Sequence, residues 1–321
     1  MASPMKVLVF GATGVIGRRV VPLLLVEGHD VTAAGRSPER LARLARLGAN
    51  SAVVDLFDRD AVARLVRGHA AVINLTTHVP PGMRAFLPGA WKEMDHIRRE
   101  GSAIVAEAVV AGGVERLVQE SFGYTYPDSG SAWVDEWVPL QPSPYNRTTL
   151  DAEASARRVT EAGRVGVALR FALLYGGAED RFTRDALKAA RRGWFALPGR
   201  PDAYFSTVTH DDAARAAVAA LDAPAGVYNV VDDEPLTRSA LAQALGDVLS
   251  VPAPKLPPRW LASLGPVAET IARSIRLSNR ALRAATGWAP DYPSGREGWR
   301  AAAQPSANAS RTSRSTVSVT G

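Results

Sequence analysis

Gly11-Ala12-Thr13-Gly14-Val15-Ile16-Gly17 joins an apolar strand, Lys6-Val7-Leu8-Val9-Phe10, to an apolar-faced helical run, Val20-Val21-Pro22-Leu23-Leu24-Leu25. Glycines three apart at such a turn let the backbone bend tightly and let a pyrophosphate approach, while the helix N-terminus offers N–H donors and partial positive charge. The stretch reads as a phosphate cradle, and its ligand as a dinucleotide. A glycine triplet alone also serves plain tight turns, where φ > 0 is the only need. Here it follows a strand, opens a helix and heads a repeating strand-helix pattern, and that context selects the cradle.

The repeat continues outward from it. His29 to Gly35 reads as a second strand, and Ser37 caps a helix running from Pro38 to Leu47. Ser51 to Leu56 is a third strand, and a helix around Asp60 to Arg67 leads into a fourth, Ala70 to Leu75, whose unbroken apolar character suits a parallel strand buried on both faces. A Pro/Gly-broken segment then precedes a long helix from Trp91 to Ala111, a fifth strand from Arg116 to Ser121, a helix from Tyr145 to Glu161 and a sixth strand from Val165 to Phe171. Beyond it come helices at Arg184 to Arg192 and Asp211 to Leu221, with strands at Tyr204 to Val208 and Val227 to Val231. The alternation predicts an α/β fold: a doubly wound parallel (Rossmann) sheet with a smaller, mainly helical C-terminal cap on the substrate side. Residues 1–175 form the dinucleotide-binding domain, with 204–231 returning to it. Residues 176–203 and 232–300 form the cap; within it, 237–300 carries helical patterns broken by Pro252, Pro254, Pro257 and Pro258, with no clear strand. The Ala/Ser/Thr-rich stretch from 301 to 321 reads as a disordered tail.

Composition bounds the function. The 321 residues are 46% hydrophobic and 22% charged, ordinary values for a globular protein with a full core. There is no cysteine, which excludes disulfides and thiolate metal sites and fits a reducing cytoplasm. The net charge of +6 comes from basic residues scattered among Ala and Leu rather than gathered with aromatics, so nucleic acid is not an expected partner. The N-terminal apolar run is too short for a membrane span or signal peptide, and no membrane partner is expected. The five histidines, His29, His69, His78, His96 and His210, are dispersed, and no metal site is expected. His210, heading a helix with Asp211 and Asp212, reads as a cap and packing residue rather than a base.

The GxxGxxG spacing, with Ala12 and Thr13 inside it, resembles the short-chain dehydrogenase/reductase superfamily, and within it the extended, NAD-dependent epimerase/dehydratase branch. The likeness extends over residues 5 to 300 through Leu117-Val118-Gln119-Glu120-Ser121, Ser143-Pro144-Tyr145-Asn146-Arg147-Thr148-Thr149, Arg170 to Gly176, His210-Asp211-Asp212-Ala213 and Tyr228-Asn229-Val230. It implies cofactor contacts at Gly11, Thr13, Gly14, Val15, Ile16 and Gly17, at Asp55 and Leu56 beside the adenine, and at Leu75 and Thr76. A plain turn role for Asp55 is nearly as well supported. Arg36, after strand two, stands where NAD-specific relatives place an acidic residue for the ribose 2′-OH; an arginine suits a 2′-phosphate. NADP(H) is therefore the preferred cofactor, with NAD(H) the alternative.

The resemblance also implies a proton-transferring tyrosine, Tyr145, and a hydrogen-bonding serine, Ser121. The family's lysine four residues after the tyrosine is Thr149 here, and an ammonium about 5 Å from a phenolate contributes roughly 3 kcal/mol at an effective dielectric of 20. Of the 38 basic residues only Lys6, Lys92, Lys188 and Lys255 are lysines, and none is an obvious substitute. Arg98 is a second departure, standing where the family usually has asparagine; a solvated helix charge and a pocket role are equally open to it. The catalytic set expected is Ser121, Tyr145 and Thr149. The expected activity is NADP(H)-dependent reduction of a carbonyl on a small or medium organic molecule, with a homodimer as the candidate assembly. A nucleotide-sugar epimerase or dehydratase with tightly bound NAD, and a cofactor-binding sensor without turnover, are the alternatives.

Overall fold

The computed structural model describes residues 4–177, 180–195 and 197–304. In its first half, strands β1 (Lys6–Phe10), β2 (Asp30–Gly35), β3 (Asn50–Val53) and β4 (Ala71–Asn74) alternate with helices α1 (Gly17–Val26), α2 (Pro38–Ala45) and α3 (Arg59–Val66). Helices α4 (Lys92–His96) and α5 (Ser102–Ala111) then lead to β5 (Arg116–Phe122), β6 (Trp133–Val134), α6 (Thr149–Glu161), β7 (Val165–Phe171) and β8 (Leu173–Tyr175). The remainder holds α7 (Arg181–Arg191), β9 (Tyr204–Phe205), β10 (Thr207–Thr209), α8 (His210–Ala219), β11 (Gly226–Val230), β12 (Leu236–Thr237), α9 (Arg238–Leu249), α10 (Pro266–Ala272), β13 (Arg276–Leu277), α11 (Arg280–Thr286) and α12 (Gly295–Ala303).

Seven of these strands form one parallel sheet in the order β11-β7-β5-β4-β1-β2-β3. Strand side chains alternate between two faces, and each face is buried. Val7, Val9 and Val118 belong to the core on the α1 and α8 side, while Leu8, Phe10 and Leu117 belong to the one under α3 and α5. This is the doubly wound fold expected from the alternation. The strand order reverses between β1 and β4, so their C-terminal ends open the crevice in which such sheets bind ligands.

Several expectations need correction. The strand expected over 204–208 does not join the main sheet: β9 pairs with β12 and β10 with β8, in two small ladders, and only β11 returns to the large one. The stretch 237–300 is not free of strands, since β13 lies in it and pairs with β6. The helix ahead of residue 301 runs on through Ala303 from a Ser294/Glu297 capping box, so 301–303 are not tail; residues 305–321 lie outside the described residues. The long helix expected over 91–111 is two α-segments joined by a π-helical turn, Ile97–Gly101, in which the Ser102 hydroxyl bonds back to the Arg98 carbonyl. Tyr145 is not helical; it sits in the turn before α6, where Thr149 N–H donates to the Asn146 carbonyl at 3.1 Å.

Candidate active site

The crevice between β1 and β4 is a cleft of about 280 Å³. Gly11, Thr13, Gly14, Arg36, Asp55, Leu56, Leu75 and Thr76 all line it. Gly11 has φ +71°, and a Cβ on it would stand 2.7 Å from the Leu75 carbonyl carbon, so the crossing of β1 past β4 requires glycine. A Cβ on Gly14 would meet only the Gly11 carbonyl oxygen, at 3.2 Å, leaving the cleft side of the turn open to a phosphate. A Cβ on Gly17 would lie 2.3 Å from that same oxygen; this glycine allows α1 to pack on the turn. Val15 and Ile16 do not line the cleft. The Val15 carbonyl accepts from Arg19 Nη1 at 2.8 Å, and Ile16 is buried in the core. The residues fit a dinucleotide: backbone approach at Gly11 and Gly14, and cationic side chains at one end.

That end holds more than Arg36. Arg40, in the first turn of the helix capped by Ser37, lines the same cleft, a residue the sequence reading passed over although it lies one helical turn beyond Arg36. Arg36 is exposed and has Glu93 as its partner at 3.5 Å, and Glu93 also reaches His78 at 3.4 Å. The Asp55 carboxylate accepts from the Phe57 N–H at 3.0 Å, so it serves the turn after β3 as well as the cleft wall.

Tyr145 does not line this cleft. Only 9% exposed, it packs against Trp91 with ring centroids 4.8 Å apart, and Trp91 is fixed by its Nε1 hydrogen bond to the Ala85 carbonyl. Asn146 fastens the turn by accepting from the Ser143 N–H at 2.8 Å and donating to the Tyr124 carbonyl at 2.9 Å. Burial pushes the Tyr145 phenol well above its ordinary range, opposed by the charges of Arg98 and Arg273 and by Asn146. The phenol is therefore protonated at neutral pH. Arg98 is buried: Nη2 and Nε fork onto Glu120 at 2.7 and 3.4 Å, and Nη1 donates to the Thr149 hydroxyl at 3.1 Å. Of the two readings open to Arg98, the solvated helix charge is excluded.

A family model described as NAD(P)H-binding matches residues 11–224. The chain belongs to this NAD(P)H-binding family. It is 34% identical to a 3-diazoavenalumate denitrifying reductase from a Streptomyces species, over 92% of this chain and 99% of that protein. It is 30% identical to a 2-alkyl-3-oxoalkanoate reductase from Stenotrophomonas maltophilia, over 78% of this chain and 77% of the relative. In fold it resembles human epimerase family protein SDR39U1 solved with NADPH (TM-score 0.78, 24% identity, 93% and 99% of the two chains). It also resembles a Thermus thermophilus UDP-glucose 4-epimerase solved with NAD (TM-score 0.73, 24% identity, 93% and 97%).

In this NAD(P)H-binding chain the remaining expected residues are buried outside the cleft lining. Ser121 has no solvent exposure, and its hydroxyl donates to Glu153 at 2.7 Å, so its one proton is not directed at a substrate. Glu153 is gripped by Arg170 through bonds of 2.7 and 2.8 Å, and Arg170 donates to the Tyr126 hydroxyl, which donates to Asn229. The quoted segments around Ser121, Arg170 and Asn229 thus meet in one buried polar network joining β5, α6, β7 and β11. His210 is buried with Nδ1 on the Gly176 carbonyl at 2.9 Å; it packs but does not cap, since the cap of its helix is Thr209, whose hydroxyl accepts from the Asp212 N–H. Trp91, which packs on Tyr145, and Glu120, which holds Arg98, were not legible as site residues; these contacts arise only when distant segments fold together. Among the described residues no group of His, Cys, Asp or Glu could hold a metal ion, and no helix is long and apolar enough to cross a membrane.

Proposed function

We propose that the protein is an NADP(H)-dependent reductase of the extended short-chain type, acting on a small or medium organic substrate with Tyr145 as proton donor. The observation that carries the reading is the buried phenol of Tyr145, packed on Trp91 and set in a turn that Asn146 fastens. Two relatives at 30% identity or more are named reductases. Gly11, Gly14, Arg36 and Arg40 would hold the dinucleotide, the two arginines facing a 2′-phosphate. When bound, the reduced nicotinamide supplies hydride.

The chain's own groups then govern the proton. A carbonyl oxygen that gains negative charge takes the Tyr145 hydrogen, the O–H bond of the phenol breaks, and solvent later reprotonates the phenolate. A phenol kept above its ordinary pKa favours this direction, because alcohol oxidation needs the phenolate at rest. Thr149 contributes no charge; it accepts a hydrogen bond from Arg98. The nucleotide-sugar epimerase reading is weaker, since it begins with that oxidation.

A second reading concerns the electrophile. The relative matched over nearly its whole length is named for removing nitrogen from a diazo compound. Hydride addition to an aryl diazonium gives the arene and dinitrogen and needs no proton. The test is NADPH consumption against 3-oxoacid esters, quinones and an aryl diazonium salt, by the parent protein and Tyr145→Phe. Loss of roughly 10²-fold or more in carbonyl reduction supports the donor role. Carbonyl reduction unchanged in Tyr145→Phe rejects it, and turnover confined to the diazonium salt favours the second reading. Binding of NADPH without turnover on any of these would leave the sensor reading.

A further inference from the structure

Three residues that line the cofactor cleft are tied to one another: Arg36 after β2, His78 after β4 and Glu93 on α4. Arg36 Nη2 lies 3.5 Å from one carboxylate oxygen of Glu93, and His78 Nδ1 lies 3.4 Å from the other. A carboxylate therefore stands in the same lining as Arg36 and Arg40 and draws on the charge of one of them. Asp55, the second carboxylate of the lining, is turned instead to the Phe57 N–H. The fold does not need the tie between Arg36 and Glu93. Exposed ion pairs contribute little to stability, and these two side chains are 74% and 44% exposed. Other contacts already fasten α4 to the cleft: Met94 is buried and its sulfur accepts from the His78 N–H at 3.3 Å, while the His96 ring stacks on Phe57 with centroids 4.1 Å apart.

We propose that Glu93 is a cofactor-discriminating residue: its carboxylate competes with the 2′-phosphate of NADP(H) for Arg36 and so holds down the preference for NADPH over NADH. The inference rests on the reading of Arg36 and Arg40 as the 2′-phosphate ligands. A 2′-phosphate carries about −1.5 to −2 charge and takes its affinity from guanidinium groups. At Arg36 it meets a guanidinium partly neutralised by Glu93, and a carboxylate of its own sign in the same lining. Binding NADPH therefore includes releasing Arg36 from Glu93 and bringing two negative groups together. NADH avoids both, because its ribose 2′-hydroxyl is neutral. His78 stays within reach of the carboxylate that Arg36 leaves, so Glu93 keeps a partner when the pair opens.

The test is equilibrium binding of NADPH and NADH, followed by nucleotide fluorescence at neutral pH, to the full-length protein and to Glu93→Gln, which keeps the size of the side chain and removes its charge. Glu93→Ala repeats the measurement without a side chain able to pair with Arg36. In both variants NADPH should bind about threefold or more tightly than in the parent, with NADH unchanged. In an Arg36→Ala background the same substitutions should alter NADPH affinity by less than about twofold, since the competition passes through Arg36. Adenosine 2′,5′-bisphosphate and AMP, followed by calorimetry, should show the same contrast and so locate the effect at the 2′-phosphate. NADPH affinity unchanged or weakened in Glu93→Gln would overturn the proposal, and so would an equal gain for NADH or a full gain that survives in Arg36→Ala. The cofactor reading fails separately: parental NADPH affinity in both Arg36→Ala and Arg40→Ala would remove the two arginines from the 2′-phosphate. Weakened NADPH binding in those variants with no response to Glu93→Gln would remove only the role of Glu93.

Discussion

The Ser121 hydroxyl donates to Glu153 across 2.7 Å of buried space, tying the end of β5 to α6. Hydrogen bonds to a charged acceptor are worth about 1.5–3 kcal/mol when the partner would otherwise be left short. Ser121→Ala should therefore lower stability by roughly that amount in urea unfolding. NADPH affinity should change little, because Ser121 does not line the cofactor cleft. A variant of parental stability that loses turnover would return Ser121 to the reacting atoms.

Gly14 and Gly17 should separate binding from folding. Gly14→Val fills the open side of the turn and should abolish NADPH binding, with circular dichroism and melting temperature close to the parent. In Gly17→Ala the new methyl would sit 2.3 Å from the Gly11 oxygen, in backbone that can move only by opening the turn. Overpacking of this kind costs about 1–3 kcal/mol, so Gly17→Ala should unfold earlier in denaturant. Normal NADPH affinity in folded Gly14→Val would remove the cradle assignment.

Arg36 and Arg40 share one end of the cleft, and together they should make NADPH bind more tightly than NADH. Replacing either by alanine should weaken NADPH about tenfold or more, a loss near 1.4 kcal/mol, with little effect on NADH. The preference should also shrink as salt rises, since Arg36 is exposed and its charge is screened. Fluorescence titration of both nucleotides measures this; equal affinities in the parent protein would contradict it.

His210 sets a pH dependence of stability. Burial pushes its imidazole down to about 4, below the value near 6.5 that it has when the chain is unfolded. The unfolded chain therefore binds the extra proton first as pH falls. The contribution is complete above about pH 6.5 and is lost between 6.5 and 4, at up to about 1.4 kcal/mol per pH unit and about 3 kcal/mol in all. His210→Asn should flatten the unfolding free energy over that window relative to the parent. Parallel curves for the two proteins would show that another group carries the acid sensitivity.

The sequence by itself determined the sheet, the two-sided core and the cradle. Those properties are local: Lys6 to Phe10 alternates between faces, Ser37 caps the helix after β2, and Gly11 and Gly14 stand where a strand turns into a helix. Each follows from residues within a few positions of one another, where period and turn chemistry act. Tertiary structure alone decided what surrounds Tyr145. Arg98 and Thr149 are 51 residues apart, Ser121 and Glu153 are 32 apart, and Trp91 reaches Tyr145 from the far side of β5 in sequence. No spacing rule links such pairs. The π-helical turn carries the buried Arg98, and the strand order brings β5 beside β7, setting Ser121 next to Arg170 so that Glu153 accepts from both. Burial then fixes which side chains titrate and which donate, because desolvation is a property of the packed whole and of no single segment.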